Sequence, residues 1–274
     1  RRRALAIILV AGFLAGFLAG AWGFGVEPNW IEVTRHRVSA PVDPPLVIAH
    51  LTDLHVRRLG RREESLLAHL ARERPDAIVV TGDSLIDGDP LVPEREREDE
   101  FAYARTGELL DRLRAPLGVW AVRGNWENER RPRDERAYYD AHGVRLLLNE
   151  SRELRPGVWL AGIDDPEGSP DAEAALASIP HGAYAVALFH SPALFDQVAG
   201  RVPLALAGHT HGGQVRPPFL RPFWLPSGSG RYLEGWYEAG GSRLYVSRGI
   251  GTSVLPVRFL CRPELAILTV GRER

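Results

Sequence analysis

The chain opens on one long apolar stretch and then alternates short apolar runs with charged segments. Residues 4–25 form a 22-residue run without a charge, preceded by Arg1-Arg2-Arg3. A helix of that length crosses a bilayer core of about 30 Å, whereas the apolar part of an export signal needs only about 7 to 15 residues. Runs of strand length follow at 46–51, 77–81, 117–123, 144–148, 158–163, 184–189, 203–207, 244–247 and 265–270. Most are nearly continuous apolar blocks bounded by Gly, Pro, Asp or Asn, as buried strands are. Between the first two, residues 61–74 gather Leu66, Leu67 and Leu70 among charges and stop before Pro75, which predicts an amphipathic helix. Helices are also expected over 101–113, 133–142 and 171–177. The charged run 94–100 reads as a solvated loop or helix start. Residues 27–45, with three prolines after Pro28, read as a connecting arm carrying a short edge strand at 30–38. Residues 215–240 read as a long irregular loop. No internal repeat is present. Helices alternate with strands early and strands cluster late, so the fold class is α+β (mixed α/β), a sheet sandwich flanked by helices. The chain divides into a transmembrane anchor or signal segment (1–26), a linker arm (27–45) and one globular domain (46–270).

Composition changes this picture little. The net charge of −1 offers a nucleic acid nothing to bind, and no such partner is expected. The single cysteine, Cys261, excludes an internal disulfide and a cysteine-based zinc site, so any metal must be held by His, Asp, Glu or Asn. There is no Met, even at position 1, so N-terminal motifs are read as truncated. The leading arginines favour a single-pass anchor in the cell membrane with the domain outside the cytoplasm. The competing reading is an export signal cleaved near 19–21. Gly12, Gly16 and Gly20 recur every four residues, a smooth face suited to helix-mediated self-association and also ordinary in membrane helices.

The chemistry gathers where the apolar runs end. Run 46–51 leads to Asp53 and His55, run 77–81 to Asp83, run 117–123 to Asn125, run 184–189 to His190, and run 203–207 to His209 and His211. Singly each residue is unremarkable, since Asp or Asn after Gly often marks a turn. Strand ends at one sheet edge are where such folds place ligands. Seven oxygen and nitrogen donors exceed what one catalytic ion with an open position needs. They suit two ions about 3.5 to 4 Å apart that share a carboxylate and clamp a phosphoryl group.

In order, Asp53-Leu54-His55, Gly82-Asp83, Gly124-Asn125, His190 and Gly208-His209-Thr210-His211 resemble the motif set of the calcineurin-like metallophosphoesterases. The likeness covers about residues 46–270. Residues 208–214 and 245–252 resemble most the bacterial membrane-associated or exported phosphodiesterases, a branch related to a UDP-2,3-diacylglucosamine pyrophosphatase. The resemblance implies a four-layer αββα sandwich and two divalent metal ions, Mn, Fe, Zn or Co. It also implies Asp53, His55, Asp83 and His211 around one ion and Asp83, Asn125, His190 and His209 around the other. Asp83 would bridge, and Asp83, Asn125 and His209 form the expected catalytic group. The implied activity is metal-dependent hydrolysis of a phosphodiester or pyrophosphate bond in a phosphorylated small molecule or lipid at a membrane. Two divalent ions against two aspartates leave the centre positive, ready for an anionic ester.

Trp126 departs from the pattern, which has Gly-Asn-His-Asp/Glu. An indole donates a hydrogen bond but delivers no proton at neutral pH, so leaving-group protonation is placed in doubt. That departure also motivates a rival reading, a catalytically weak metal-binding protein that recognises a phosphorylated lipid or nucleotide. His50, inside an apolar strand, reads as a hydrogen-bonded core histidine. His36, His69, His142 and His181 read as surface histidines. Arg248 and Arg258 suit a phosphate contact or a structural ion pair. Phe219, Phe223, Trp224 and Trp236 suit packing over the sheet edge or contact with lipid.

Overall fold

A computed structural model describes residues 2–85, 95–129, 134–222 and 224–272. The apolar N-terminus is helix α1 (Arg2–Ala21), continued by a π turn and a 3-10 turn to Asn29. The stretch Leu5–Asn29 has a mean hydropathy of 2.3, and its most apolar window is not buried against the domain. By length and composition it is long enough to cross a membrane.

The rest of the chain runs β1 (Glu32–Ser39), β2 (Leu46–Leu51), α2 (Arg61–Glu73), β3 (Ala77–Thr81), α3 (Arg95–Leu110), β4 (Val119–Val122), α4 (Asn125–Glu129), α5 (Glu135–Ala141) and β5 (Val144–Leu146). It continues through β6 (Glu150–Arg155), β7 (Val158–Gly162), α6 (Ala172–Leu176), β8 (Tyr184–Leu188), α7 (Phe195–Val198), β9 (Leu204–Ala207), β10 (Gly235–Ala239), β11 (Ser242–Val246) and β12 (Glu264–Gly271). The strands form two six-stranded sheets, ordered β1-β12-β2-β3-β4-β5 and β10-β11-β9-β8-β7-β6.

Alternation along each strand sorts the side chains into layers. Ile48, Val79 and Val122 of the first sheet meet Leu160, Leu188 and Leu206 of the second in the central apolar layer. Ala49, Ile78 and Val80 face outward onto Leu66 and Leu70 of α2 and Leu109 of α3. On the other side Ala187, Ala205 and Val246 pack on Ala175, Phe195 and Val198. The result is the αββα sandwich. Strands β2 to β5 are parallel, and so are β7, β8, β9 and β11, so both sheets release their loops at a common edge.

Four local findings amend the sequence reading. Strand β6 was not expected, because its sequence Glu-Ser-Arg-Glu-Leu-Arg is that of a charged edge strand with one apolar position. The arm at 27–45 is hydrogen-bonded into the first sheet, since β1 runs beside β12 from Glu32↔Glu264 to Ser39↔Gly271. The loop at 215–240 ends in a strand, β10, whose Trp236 packs against Tyr245 with ring centroids 4.9 Å apart. His36 is half-buried rather than on the surface, and its Nε2 hydrogen-bonds the Tyr245 hydroxyl at 2.9 Å. Glu94, Arg133 and Phe223, which fell in expected elements, lie outside the described residues.

Candidate metal centre

Strands β2, β3, β4, β8 and β9 all end at one edge, and the chain leaves them through tight, strained turns. Asp53, His55, Asp83, His209 and His211 have φ of 51°, 41°, 52°, 71° and 50°. Asp and His tolerate this left-handed conformation better than most side chains, and such strain collects at functional sites. Two glycines permit the close approach. A Cβ on Gly208 would overlap the side chains of Thr52 and Asp53, and one on Gly124 would overlap the Asp83 carboxylate.

The candidate residues meet in two buried clusters, Asp53/His55/His211 and Asp83/His190/His209. In the first, His211 Nε2 lies 3.2 Å from both Asp53 Oδ1 and His55 Nε2. In the second, His190 Nε2 lies 3.2 Å from Asp83 Oδ2 and 2.9 Å from His209 Nδ1. Asp83 Oδ2 also stands 3.6 Å from His55 Nε2, between the two clusters. Asn125 lines the same cavity, and its Oδ1 is buried without a hydrogen-bond partner.

Outer contacts decide which atoms face inward. The Nδ1–H of His55 points at Leu85 O (3.1 Å), that of His190 at Thr81 O (2.8 Å), and the Nε2–H of His209 at Ser227 O (2.5 Å). Each carbonyl fixes the proton on the outer nitrogen and turns a lone pair to the centre. The carboxylates divide in the same way. Asp53 Oδ2 accepts from the Thr52 hydroxyl and the His209 N–H, while Oδ1 is buried and has no hydrogen-bond partner. Asp83 Oδ1 accepts from the Trp126 N–H, leaving Oδ2 inward. Lone pairs converging this closely repel unless a cation lies between them. The donor set, His and Asp with one Asn, fits two divalent ions of the Mn, Fe, Zn or Co type.

Burial sets the electrostatics. It pushes Asp53 up and Asp83 up to about 7, against the pull of His190. It holds His55 and His211 well below the usual imidazole range and His209 down to about 4. His190 goes the other way: burial opposes its charge, but Asp83, Asp53 and Asp165 raise it well above the ordinary value. Protons and metal ions compete for these atoms, so ion binding releases protons.

Other parts of the site were not read from the sequence. Glu127 is fully buried and accepts four backbone N–H groups, from Asp83, Ser84, Leu85 and Gly124, which locks the turn carrying Asp83. Its position beside Trp126 in the Gly-Asn-Trp-Glu motif was the only signal. Among the described residues Arg258 makes no ion pair; it is buried and donates to the carbonyls of Gly251, Cys261, Arg248 and Gly249. Arg248 is a structural ion pair, held by Glu32 and Glu264. His50 is a core histidine bonded to Thr81 Oγ1 at 2.8 Å.

Two hollows adjoin the clusters. One of about 240 Å³ is lined by Asp83, Asn125, His209, His211, Trp126 and Glu167. The Trp126 ring stands edge-on to His55, centroids 6.2 Å apart. Beside it lies an apolar cleft of about 300 Å³ whose wall includes Val215, Leu255 and Val257. The two share His211, Trp224, Ser253 and Val254.

The calcineurin-like phosphoesterase family profile matches residues 46–213. The chain belongs to that family. This phosphoesterase is 30% identical over 273 residues to an uncharacterised metallophosphoesterase of Bacillus subtilis, YkuE, covering 93% of this chain and 92% of the relative. It is 26% identical to the phosphodiesterase YaeI of Escherichia coli, over 93% of this chain and 95% of that one. A metallophosphoesterase of Aquifex aeolicus is 28% identical, with coverage of 92% and 96%. A solved crystal structure shares the fold with a TM-score of 0.50 at 14% identity, covering 73% of this chain and 90% of that chain. The phosphoesterase is a metal-dependent phosphohydrolase, a class that works with two divalent ions.

Proposed function

We propose that this phosphoesterase is a membrane-anchored phosphodiesterase or pyrophosphatase acting on a lipid-linked or nucleotide substrate such as UDP-2,3-diacylglucosamine. The observation that carries the reading is the pairing of two His/Asp clusters with a cavity open beside them. Two divalent ions held there would lower the pKa of a water and neutralise charge on phosphoryl oxygens. Asp53, His55 and His211 would hold one ion and Asp83, Asn125, His190 and His209 the other, with the Asp83 carboxylate shared between them. Trp126 orients or stacks but transfers no proton, so the favoured leaving group is one stable as an anion, such as a nucleoside monophosphate.

The apolar cleft supports the lipid-linked substrate. It shares walls with the metal cavity, so an apolar chain can lie in it while the phosphoryl group reaches the clusters. The helix α1 supports the anchor, the arginines that open the chain favour the domain outside the cytoplasm, and the open glycine face of α1 supports self-association. Full-length protein should then stay with membranes through a high-salt wash. Recovery of soluble protein lacking about 21 residues would mean a cleaved signal instead.

Activity is tested with the full chain loaded with Mn²⁺, Co²⁺ or Zn²⁺. Hydrolysis of bis(p-nitrophenyl) phosphate is expected, and kcat/KM for alkyl p-nitrophenyl phosphates should rise with alkyl length. Turnover independent of chain length removes the lipid assignment. No turnover with any ion favours the second reading, a metal-binding protein that recognises its phosphorylated ligand without cleaving it, for which Trp126 is the motive.

A further inference from the structure

The turn carrying Asp53 and His55 runs into α2 through Arg57-Arg58-Leu59-Gly60, and α2 itself opens with Arg61-Arg62. This basic stretch lines a cavity of about 690 Å³, separate from the metal centre. Phe24, Gly25 and Pro28, from the end of the apolar N-terminal segment, form another wall. Arg62 is already neutralised, because its guanidinium lies 2.7 Å from the Glu63 carboxylate. Arg57, Arg58 and Arg61 meet no carboxylate among the described residues, and Arg57 Nε is buried without a hydrogen-bond partner. Arg57 is half-buried and Arg58 and Arg61 are exposed, so the cavity gathers three positive charges that no carboxylate among the described residues meets, and a buried N–H left unpaired is costly. An anion relieves both.

The position of the cavity narrows the kind of anion. The apolar segment ends here, and Trp22 and Trp30 stand beside it, half-exposed and edge-to-face with centroids 5.8 Å apart. The Arg262 guanidinium covers Trp30 at 4.1 Å. Tryptophan and arginine at the end of an apolar span mark headgroup level. Leu59 and Pro256 add apolar surface to the cavity wall.

We propose that this cavity binds the headgroup phosphate of an anionic phospholipid, with Arg57, Arg58 and Arg61 around the phosphate and Phe24, Pro28 and Leu59 against the glycerol and first methylenes. The proposal rests on the reading of α1 as a membrane span and is independent of the hydrolytic reading. A zwitterionic lipid would bring its own cation into the arginines, so the site selects by charge. The bound lipid would hold the domain at a fixed orientation on the bilayer, with the basic stretch and the end of α1 against one headgroup.

The test uses the full chain in mild detergent, offered phosphatidylglycerol or phosphatidylcholine with identical acyl chains, with bound lipid counted by native mass spectrometry. Phosphatidylglycerol should be retained about tenfold over phosphatidylcholine, below the roughly 10²-fold that three arginines at about 1 kcal/mol each would allow. The triple change Arg57→Gln, Arg58→Gln, Arg61→Gln should remove the preference, and the matching Lys triple should keep it, separating charge from folding. Equal retention of the two lipids, or an unchanged preference in the Gln triple, overturns the proposal. Displacement of the lipid by millimolar inorganic phosphate also overturns it, because the site would then serve a soluble anion. Failure of the anchor reading shows separately, as soluble protein without its N-terminus.

Discussion

Strands β2, β3 and β4 of the first sheet end in Asp53, His55, Asp83 and Asn125, whereas β8 and β9 of the second end in His190, His209 and His211. The first sheet thus brings every oxygen donor and the second brings only imidazoles. Neither sheet completes a cluster by itself. Asp53 and His55 need His211 from across the sandwich, and Asp83 needs His190 and His209. The centre is therefore a seam between the sheets, placed where the apolar layer that joins them gives way to polar loops. Charge arrives from one side and neutral, softer donors from the other, which keeps a two-ion site positive enough for a phosphate ester.

The seam is broken most completely at Asp83, whose Oδ2 stands between the clusters. Asp83→Asn should cut turnover by about 10³-fold or more and lower the bound metal, since several kcal/mol of charge stabilisation is removed. Wild-type turnover by the pure variant would sink the two-ion account. The next effect tests the first sheet's shortage of imidazoles. Trp126→His should speed hydrolysis of esters with alkoxide leaving groups by roughly 10²- to 10⁴-fold while changing p-nitrophenyl esters little. The readout is the ratio of the two rates at equal metal occupancy. An unchanged ratio would put Trp126 outside the proton-transfer step. Chelation should separate the sheets' edges thermally. Each ion at 100 times its Kd contributes about 2.7 kcal/mol, so two contribute about 5.4 kcal/mol and the unfolding midpoint should fall by about 10–20 °C on metal removal. A midpoint indifferent to chelator would mean that no ion ties the seam.

The smallest effect contrasts two buried histidines of the same strand region. His55 faces the seam; His50 is inside the sheet, with burial lowering its pKa to about 3 although Glu264 pulls upward. Its depressed pKa means that the unfolded chain takes up a proton near pH 6.5 while the folded chain refuses one. The stability is full above pH 6.5 and falls by about 1.4 kcal/mol per pH unit as pH drops toward 3. His50→Gln should flatten that acid limb by up to one proton in a pH series of urea melts. An identical limb in the variant would show that other groups carry it.

Much of this edge was readable from the residues because strand ends are marked twice, by an apolar run and by the polar residue that stops it. Strands β2 and β3 fall on their expected residues, and the carboxylates, amide and imidazoles that follow five strands converge. What stayed hidden depends on contacts between distant residues. Glu127 looks like one more charge until its four N–H donors are seen, and Arg258 looks like an ion-pair residue until its partners prove to be carbonyls. Strand β6 is invisible to periodicity because pairing with β7, rather than apolar alternation, makes it a strand. The apolar cleft draws on residues 210–215, 224 and 253–257, which nothing local connects.

The central claim is that one seam holds two ions and that both are needed. It is tested most directly by adding Mn²⁺ stepwise to metal-free full-length protein, following bound ion and hydrolysis of bis(p-nitrophenyl) phosphate together. The account predicts two ions per chain, with turnover rising chiefly as the second is filled. Full turnover at one ion per chain, or turnover that survives complete chelation, would contradict it.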